Sequence, residues 1–302
     1  MSPDLAVLPS GLGEVRSPVP SATYVDEIAD DLLARATFFV PIYMGPVANL
    51  ALMSRMPRLR TCQLLTAGYD NALAHLPAGV ALCNAAGVHD ASTAELAVGL
   101  MIARLRGLDD AARDMAQGTW RHRPMPALAD RTVVVVGAGG VGQAIRARLE
   151  PFEVRVVMVG RSARPGVHAR AELDSLVTQA DVVVLALPLD PSTAGMVDAA
   201  FLARLRDGAL LVNVSRGPVV RTEDLLAELR SGRLQACLDV TDPEPLPADH
   251  PLWSAPGLLI TPHAGGNSSA FLPRARRLVA SQLERLSQGL PLANQVGVGR
   301  SA

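Results

Sequence analysis

The chain contains no lysine: all 28 of its Lys-plus-Arg residues are arginine. Chemistry that needs a lysine amine, such as a Schiff base, has no side chain to carry it. Cysteine is scarce. Cys62, Cys83 and Cys237 are scattered, odd in number and set in apolar runs, which suits reduced thiols buried as small hydrophobes and offers no disulfide framework. None stands at metal-ligand spacing with a histidine, and neither His122 nor His168 belongs to a paired motif, so no metal is expected. Charge of one sign is also lacking. A formal net charge of -1 with interspersed signs gives no basic stripe for nucleic acid, and Arg274, Arg276 and Arg277 suit a solvated helix face. Apolar runs such as 182–189 are far too short to span a bilayer, so no membrane segment is expected. Residues 1–13 lack the basic region and sustained apolar stretch of a signal peptide, and the expected location is cytoplasmic. There is no tandem repeat and no low-complexity tract.

What is present is enough apolar residue for substantial cores: 302 residues, 49% hydrophobic and 19% charged, suit a soluble chain of two domains. In the first third, residues 5–8, 37–43, 61–65 and 80–84 have strand character, while 25–34 and 47–56 carry helical spacing. That alternation implies parallel strands covered on both faces. A long helical run from Ser92 towards Gly118 is expected to bridge two domains. A second α/β series opens at Thr132 with four valines, and strand runs follow at 154–159, 182–186, 210–214, 236–240 and 258–261. With helical stretches such as 222–230 between them, they describe a doubly wound sheet. The helical stretch 269–286 lies beyond the last strand and can return to the first domain. The expected fold is α/β, with two Rossmann-like or flavodoxin-like domains of parallel sheet and an active-site cleft between them. Residues 1–97 with 267–302 form one domain and 98–266 the other, with hinges near Ala97 and Gly266.

Four settings carry chemistry. Gly137-Ala138-Gly139-Gly140-Val141-Gly142 follows the valine strand and precedes a helix. This context places a pyrophosphate on the free amides of a helix N-terminus, with Gly139, Gly140, Val141 and Gly142 among the expected cofactor-binding residues. A glycine-rich turn alone also arises for steric reasons. The next strand ends Val159-Gly160-Arg161-Ser162-Ala163-Arg164, where a ribose 2′-hydroxyl usually meets an acid. The acid is missing, and Arg161, Ser162 and Arg164 can donate to a 2′-phosphate, so NADP(H) is favoured and NAD(H) remains possible. The bland alternative is a pair of solvated loop arginines. Ser215-Arg216-Gly217, the stretch Asp239 to Glu244, and Thr261-Pro262-His263 complete the set. A guanidinium to fork a carboxylate, an imidazole to move a proton and a carboxylate to fix its tautomer suit hydride exchange between a nicotinamide and a 2-oxo or 2-hydroxy acid. Each alone has a structural reading: Arg216 in an ordinary turn, His263 after a proline, Glu244 solvated among Pro243, Pro245 and Pro247.

Together these segments resemble the D-isomer-specific 2-hydroxyacid dehydrogenases, the group that includes glyoxylate/hydroxypyruvate reductases. The likeness also takes in Leu64 to Asn71, Ser92 to Glu95, Leu187-Pro188-Leu189 with Thr193, and Val212 to Gly217. It implies Arg216, Glu244 and His263 as catalytic residues. It also implies Ala67 and Gly68 as substrate contacts through their amides, with Arg216 as a third, and domain closure over the substrate. Asp239 would bind the nicotinamide carboxamide and Thr93 would line the reacting end of the cofactor. Gly137, Leu187, Pro188, Thr193, Val214, His263 and Gly265 would complete the cofactor contacts. The implied partners are a small 2-oxo or 2-hydroxy acid and a second copy of the chain in a homodimer. Thr241 stands where an aromatic is common in the family, and Ala138 and Gly140 where bulkier residues are frequent. Tyr69 and Trp120 are the aromatic candidates for contacting a substrate side chain. The same fold can also serve as a non-catalytic nucleotide-sensing or corepressor-like module.

Overall fold

The structure, a computed structural model, describes residues 4–299. It divides into two compact units, Met1–His89 with Ser269–Ala302, and Asp90–Ser268. The first unit opens with β1 (Ala6–Pro9), β2 (Ser21–Tyr24), α1 (Asp30–Arg35), β3 (Phe38–Phe39), α2 (Val47–Ala51), β4 (Thr61–Gln63) and β5 (Ala81–Cys83). The second begins with α3 (Asp90–Leu105), α4 (Leu108–Ala116), β6 (Thr132–Val136), α5 (Gly140–Leu149), β7 (Arg155–Gly160), β8 (His168–Ala169) and α6 (Leu173–Val177). It continues through β9 (Val182–Leu185), α7 (Ala199–Ala203), β10 (Leu210–Asn213), α8 (Thr222–Arg230), β11 (Gln235–Leu238) and β12 (Leu258–Ile260). The chain then returns to the first unit as α9 (Phe271–Ser287) and β13 (Gln295–Val298).

In the second unit the strands run in the order β12-β11-β10-β9-β6-β7-β8, every pair parallel. The four valines of β6 show how that sheet is held, because successive side chains of a strand face opposite ways. Val133 and Val135 enter a core with Ala97 and Met101 of α3 and Ile145 and Leu149 of α5. Val134 and Val136 enter another with Val177 of α6, Leu202 of α7 and Leu226 and Leu229 of α8. Burial on both faces explains why the strand is uniformly apolar rather than alternating. α8 forms over the 3.6-residue spacing of Leu225, Leu226 and Leu229. Acids in its first turn, Glu223 and Asp224, and Arg230 in its last complement its dipole.

The first unit has the strand order β13-β5-β4-β3-β1-β2. One face packs Val7, Phe39, Cys62 and Leu82 against Leu33 of α1 and Leu50 of α2. The other packs Ala6, Leu8, Phe38 and Val40 against Phe271, Ala275, Val279 and Leu283 of α9. Five strands are parallel, including the four expected from sequence, and β13, which was not among the expected strands, pairs antiparallel with β5. β13 is an edge strand centred on Gly297, where the register shifts, so its sequence carries little strand signal.

Two further differences have local causes. The helical run from Ser92 is two helices, because Gly107 adopts a left-handed conformation (φ 63°) that ends α3 and caps α4. The unit boundaries fall at 89/90 and 268/269 rather than at 97/98 and 266/267. α3 runs unbroken through Ala97, and its buried face shares one core with α5, so the chain is not divided there.

Candidate active site

Three neighbouring strands carry the chemistry. β10, β11 and β12 lie side by side in one direction, with Asn213 opposite Leu238 and Leu238 opposite Ile260. That register delivers Arg216, Asp239 and His263 from the carboxyl ends of adjacent parallel strands, the edge at which open α/β sheets bind ligands.

After β12 the backbone turns sharply. His263 has φ 50°, a left-handed conformation uncommon for a residue with a side chain. Asp239 holds it there: its main-chain carbonyl accepts the His263 N–H at 2.8 Å. One carboxylate oxygen accepts from Thr261 Oγ1 (2.6 Å) and the Ala264 N–H (2.8 Å), and the other from the Gly265 N–H (2.9 Å). The carboxylate expected to meet the nicotinamide is thus first of all the organiser of the histidine turn. A Cβ at Gly265 would sit 2.9 Å from Asp239 Oδ2 and 3.2 Å from Thr93 Cγ2, so Thr93, Asp239 and Gly265 form one close cluster.

The His263 Nδ1 and Glu244 Oε1 atoms are 2.5 Å apart. A carboxylate bound at Nδ1 leaves Nε2 as the ring atom available to a substrate. Burial works to raise the pKa of Glu244, but the hydrogen bond and charge of His263, the Thr241 N–H and the charge of Arg216 outweigh it. The carboxyl is held below its ordinary range and stays ionised beside the imidazole. Arg216 bonds the Ser215 carbonyl through Nη1 at 2.9 Å. Its turn is shaped by Asn213, which is fully buried. The Asn213 side-chain carbonyl accepts from the Ser215 N–H (3.0 Å) and hydroxyl (2.7 Å), while its amide donates to the Arg216 carbonyl (2.9 Å). Asn213 was not among the expected site residues; a polar side chain closing the buried apolar strand Leu210–Asn213 was its signal. Next to it, a Cβ at Gly217 would collide with the Thr241 carbonyl, so the arginine and glutamate loops approach at backbone distance.

The glycine turn forms the other end. Gly137 has φ 120°, and a Cβ there would run into the Ala186 carbonyl; a Cβ at Gly142 would run into the Gly137 carbonyl. Gly139, the N-cap of α5, has open space above it. The first N–H groups of α5, including those of Gly140, Val141 and Gly142, have no intrahelical acceptor. This cradle opens into a cavity of about 220 Å³ lined by Gly137, Gly139, Arg161, Leu187, Pro188 and Thr193 among others. The Thr193 hydroxyl closes the cavity's loop by bonding Pro188 O at 2.9 Å. Ser162 and Val214 are not among its walls, and Arg164 donates to Ala138 O of the turn at 2.7 Å. Arg170, Asp190 and Ser192 do line it, and none of them carries a local motif that marks it.

In the first unit, Ala67 and Gly68 lie in the loop after β4. Their carbonyls are bonded, Ala67 O to Asn84 Nδ2 (2.6 Å) and Gly68 O to Thr66 Oγ1 (2.7 Å). Tyr69 is partly buried against the same core. Among the described residues no group of three or more His, Cys, Asp or Glu could hold a metal ion, and no helix is long and apolar enough to cross a membrane.

Residues 98–265 match the model of the D-isomer specific 2-hydroxyacid dehydrogenase NAD binding domain. The chain belongs to this family. Human glyoxylate reductase/hydroxypyruvate reductase is 36% identical over 217 residues, 68% of this chain and 66% of that one. Glyoxylate/hydroxypyruvate reductase B of Citrobacter koseri is 33% identical over 231 residues, 72% of this chain and 71% of the other. Among solved structures, an NADPH-dependent glyoxylate/hydroxypyruvate reductase from Sinorhizobium meliloti, in complex with NADP and sulfate, aligns with TM-score 0.85 at 26% identity, covering 97% of this chain and 98% of that one. This member of the D-2-hydroxyacid dehydrogenases is therefore an NAD(P)-dependent 2-hydroxyacid dehydrogenase or reductase. Its glycine cradle, with side-chain-free space at Gly139 and free amides behind it, fits a dinucleotide pyrophosphate.

Proposed function

We propose that this dehydrogenase is an NADPH-preferring reductase of small 2-oxoacids of the glyoxylate and hydroxypyruvate class, with His263 as the proton donor. The observation that carries this reading is the 2.5 Å pairing of His263 with an ionised Glu244 beside the charge of Arg216. The names of the relatives support the substrate class. When bound, the cofactor supplies a hydride to the substrate carbonyl carbon. Arg216 holds the substrate carboxylate before that transfer and stabilises the charge growing on the carbonyl oxygen during it. His263 gives that oxygen a proton from Nε2, and Glu244 holds the ring by Nδ1 and stabilises its charged form before transfer. For Ala67 and Gly68 the proposal is substrate binding through their backbone N–H groups. The phosphate preference rests on Gly160, which leaves no acid at the end of β7, and on Arg161 at the cavity wall.

The reading includes a homodimer through the α4 region. α4 buries none of its residues, and Leu108 (54% exposed), Met115 (79%) and Trp120 (94%) present a large apolar surface. It also places the protein in the cytoplasm, where three free cysteines stay reduced.

The decisive experiment is a panel of 2-oxoacids assayed with NADPH and with NADH. Turnover of glyoxylate or hydroxypyruvate with NADPH is expected. A hundredfold preference for NADH would overturn the cofactor assignment, and no turnover of any 2-oxoacid would overturn the substrate class.

A further inference from the structure

The acid that usually meets a ribose 2′-hydroxyl is absent from the end of β7, yet a carboxylate reaches the same cavity from another strand. Asp190 lies in the loop after β9, and it lines the cavity together with Arg161, Arg170, Ser192 and the glycine turn. Its Oδ2 is 3.2 Å from Arg161 Nη2. Its Oδ1 accepts from both the N–H (2.7 Å) and the hydroxyl (2.5 Å) of Ser192. On the far side of Ser192, Arg170 donates to the serine hydroxyl at 2.9 Å and to its carbonyl. Two guanidinium groups and one carboxylate therefore face a single pocket. We propose that Asp190 sets the balance between NADPH and NADH by engaging Arg161 and by standing in for the missing strand-end acid. The proposal rests on the cofactor reading above.

The physical argument is one of competition. A 2′-phosphate must draw Arg161 away from Asp190 and then sit close to a like charge. A 2′-hydroxyl does neither; it can donate to Oδ2, as it would to the usual acid. Asp190 is ionised when the contest takes place. The Ser192 hydroxyl and N–H hold its carboxyl below the ordinary range against the effect of burial, with Arg161 and Arg170 adding their charges. Arg170, whose hydrogen bonds go to Ser192 rather than to Asp190, remains to attract the phosphate. Arg161, one partner of the competing pair, is 84% exposed, so the effect is a matter of several-fold and is screened by salt.

Oδ1 makes the local turn and Oδ2 faces Arg161, so the two roles can be separated. Asp190→Asn keeps an oxygen for the Ser192 bonds and removes the charge. Dissociation constants for NADPH and NADH, from titrations of reduced-nicotinamide fluorescence without substrate, are the readout. NADPH is expected to bind roughly fivefold tighter to Asp190→Asn, with NADH unchanged or weaker and the change shrinking at high salt. Asp190→Ser, whose hydroxyl can make the same kind of turn, should behave alike and serves if the first variant misfolds. Adding Arg161→Gln should remove the gain. An unchanged ratio of the two dissociation constants in both folded variants would overturn the proposal. A wild-type preference for NADH would sink the NADPH reading but not this one, which predicts the direction of change. Failure of wild type and Asp190→Asn alike to bind either dinucleotide would sink both.

Discussion

At His263 a left-handed backbone, an imidazole and an ionised partner meet in one residue. Removing the ring by His263→Ala should lower turnover by about 10²- to 10⁴-fold, the usual worth of general acid–base catalysis, while the dissociation constant for NADPH moves little. Arg216→Ala should damage KM and kcat together, since its guanidinium serves both the bound acid and the developing charge. Near-wild-type turnover in both variants would remove the mechanism. Glu244→Gln keeps a hydrogen-bond acceptor but loses the charge, and it should cost about 10- to 100-fold in kcat. The pH dependence follows from the depressed carboxyl pKa. Its stabilising effect is complete above the unfolded-state value and is lost only as pH falls through the lower folded-state value. Wild-type reduction should therefore persist through the ordinary carboxylate range on the acid side. It should decline at alkaline pH, since reduction consumes a proton. A kcat profile that rises with pH would contradict His263 as donor.

At the scale of the element, the glycine turn separates two demands that look alike in the sequence. Gly142 is glycine because the turn closes on itself: a Cβ would strike the Gly137 carbonyl. Gly139 meets nothing within 4 Å, so its missing side chain leaves room for a ligand rather than for the protein. Gly142→Ala should therefore destabilise the fold by about 1–3 kcal/mol, measured by denaturant unfolding. Gly139→Ala should leave stability within about 0.5 kcal/mol of wild type while weakening dinucleotide binding. Identical effects of the two substitutions would show that this division is wrong. α5 has a third demand, since Ile145 and Leu149 are wholly buried against α3 and the sheet. Truncating either to alanine should cost about 2–5 kcal/mol.

At the scale of the whole molecule, the three cysteines are free and buried. Burial pushes the Cys237 thiol up to about 12 and the Cys83 thiol up to about 11, and it raises Cys62 as well. Thiolate is therefore scarce at neutral pH, and a thiol-specific reagent should react with the native protein only as fast as the protein unfolds. The exposed face around Met115 and Trp120 bears on assembly. Light scattering should give the mass of a dimer, and Met115→Glu with Trp120→Glu should give that of a monomer; a wild-type monomer would end that part of the proposal.

Much of this was legible in contiguous residues. Four successive valines, a glycine turn and a helix form one βα unit because each step depends on neighbours only a few positions away. The same holds for α8, whose apolar spacing and terminal charges lie within nine residues. The short strands β2, β8 and β13 were not legible. Each is a sheet edge with a single neighbour and mostly exposed or half-buried side chains, so none carries the apolar run that marks an inner strand. The sequence could name Arg216, Glu244 and His263 through their local settings. Only the order and register of β10, β11 and β12 bring their three loops to one edge, and only the fold commits the Asp239 carboxylate to the histidine turn. Arg164 and Arg161 looked equivalent along the chain, yet one braces Ala138 and the other faces Asp190, 29 residues away. Local propensity and burial period are properties of neighbouring residues, so the sequence alone determined the inner strands and the helices with a clear apolar period. Which charges meet depends on strand order and loop approach, so that was decided by the tertiary structure.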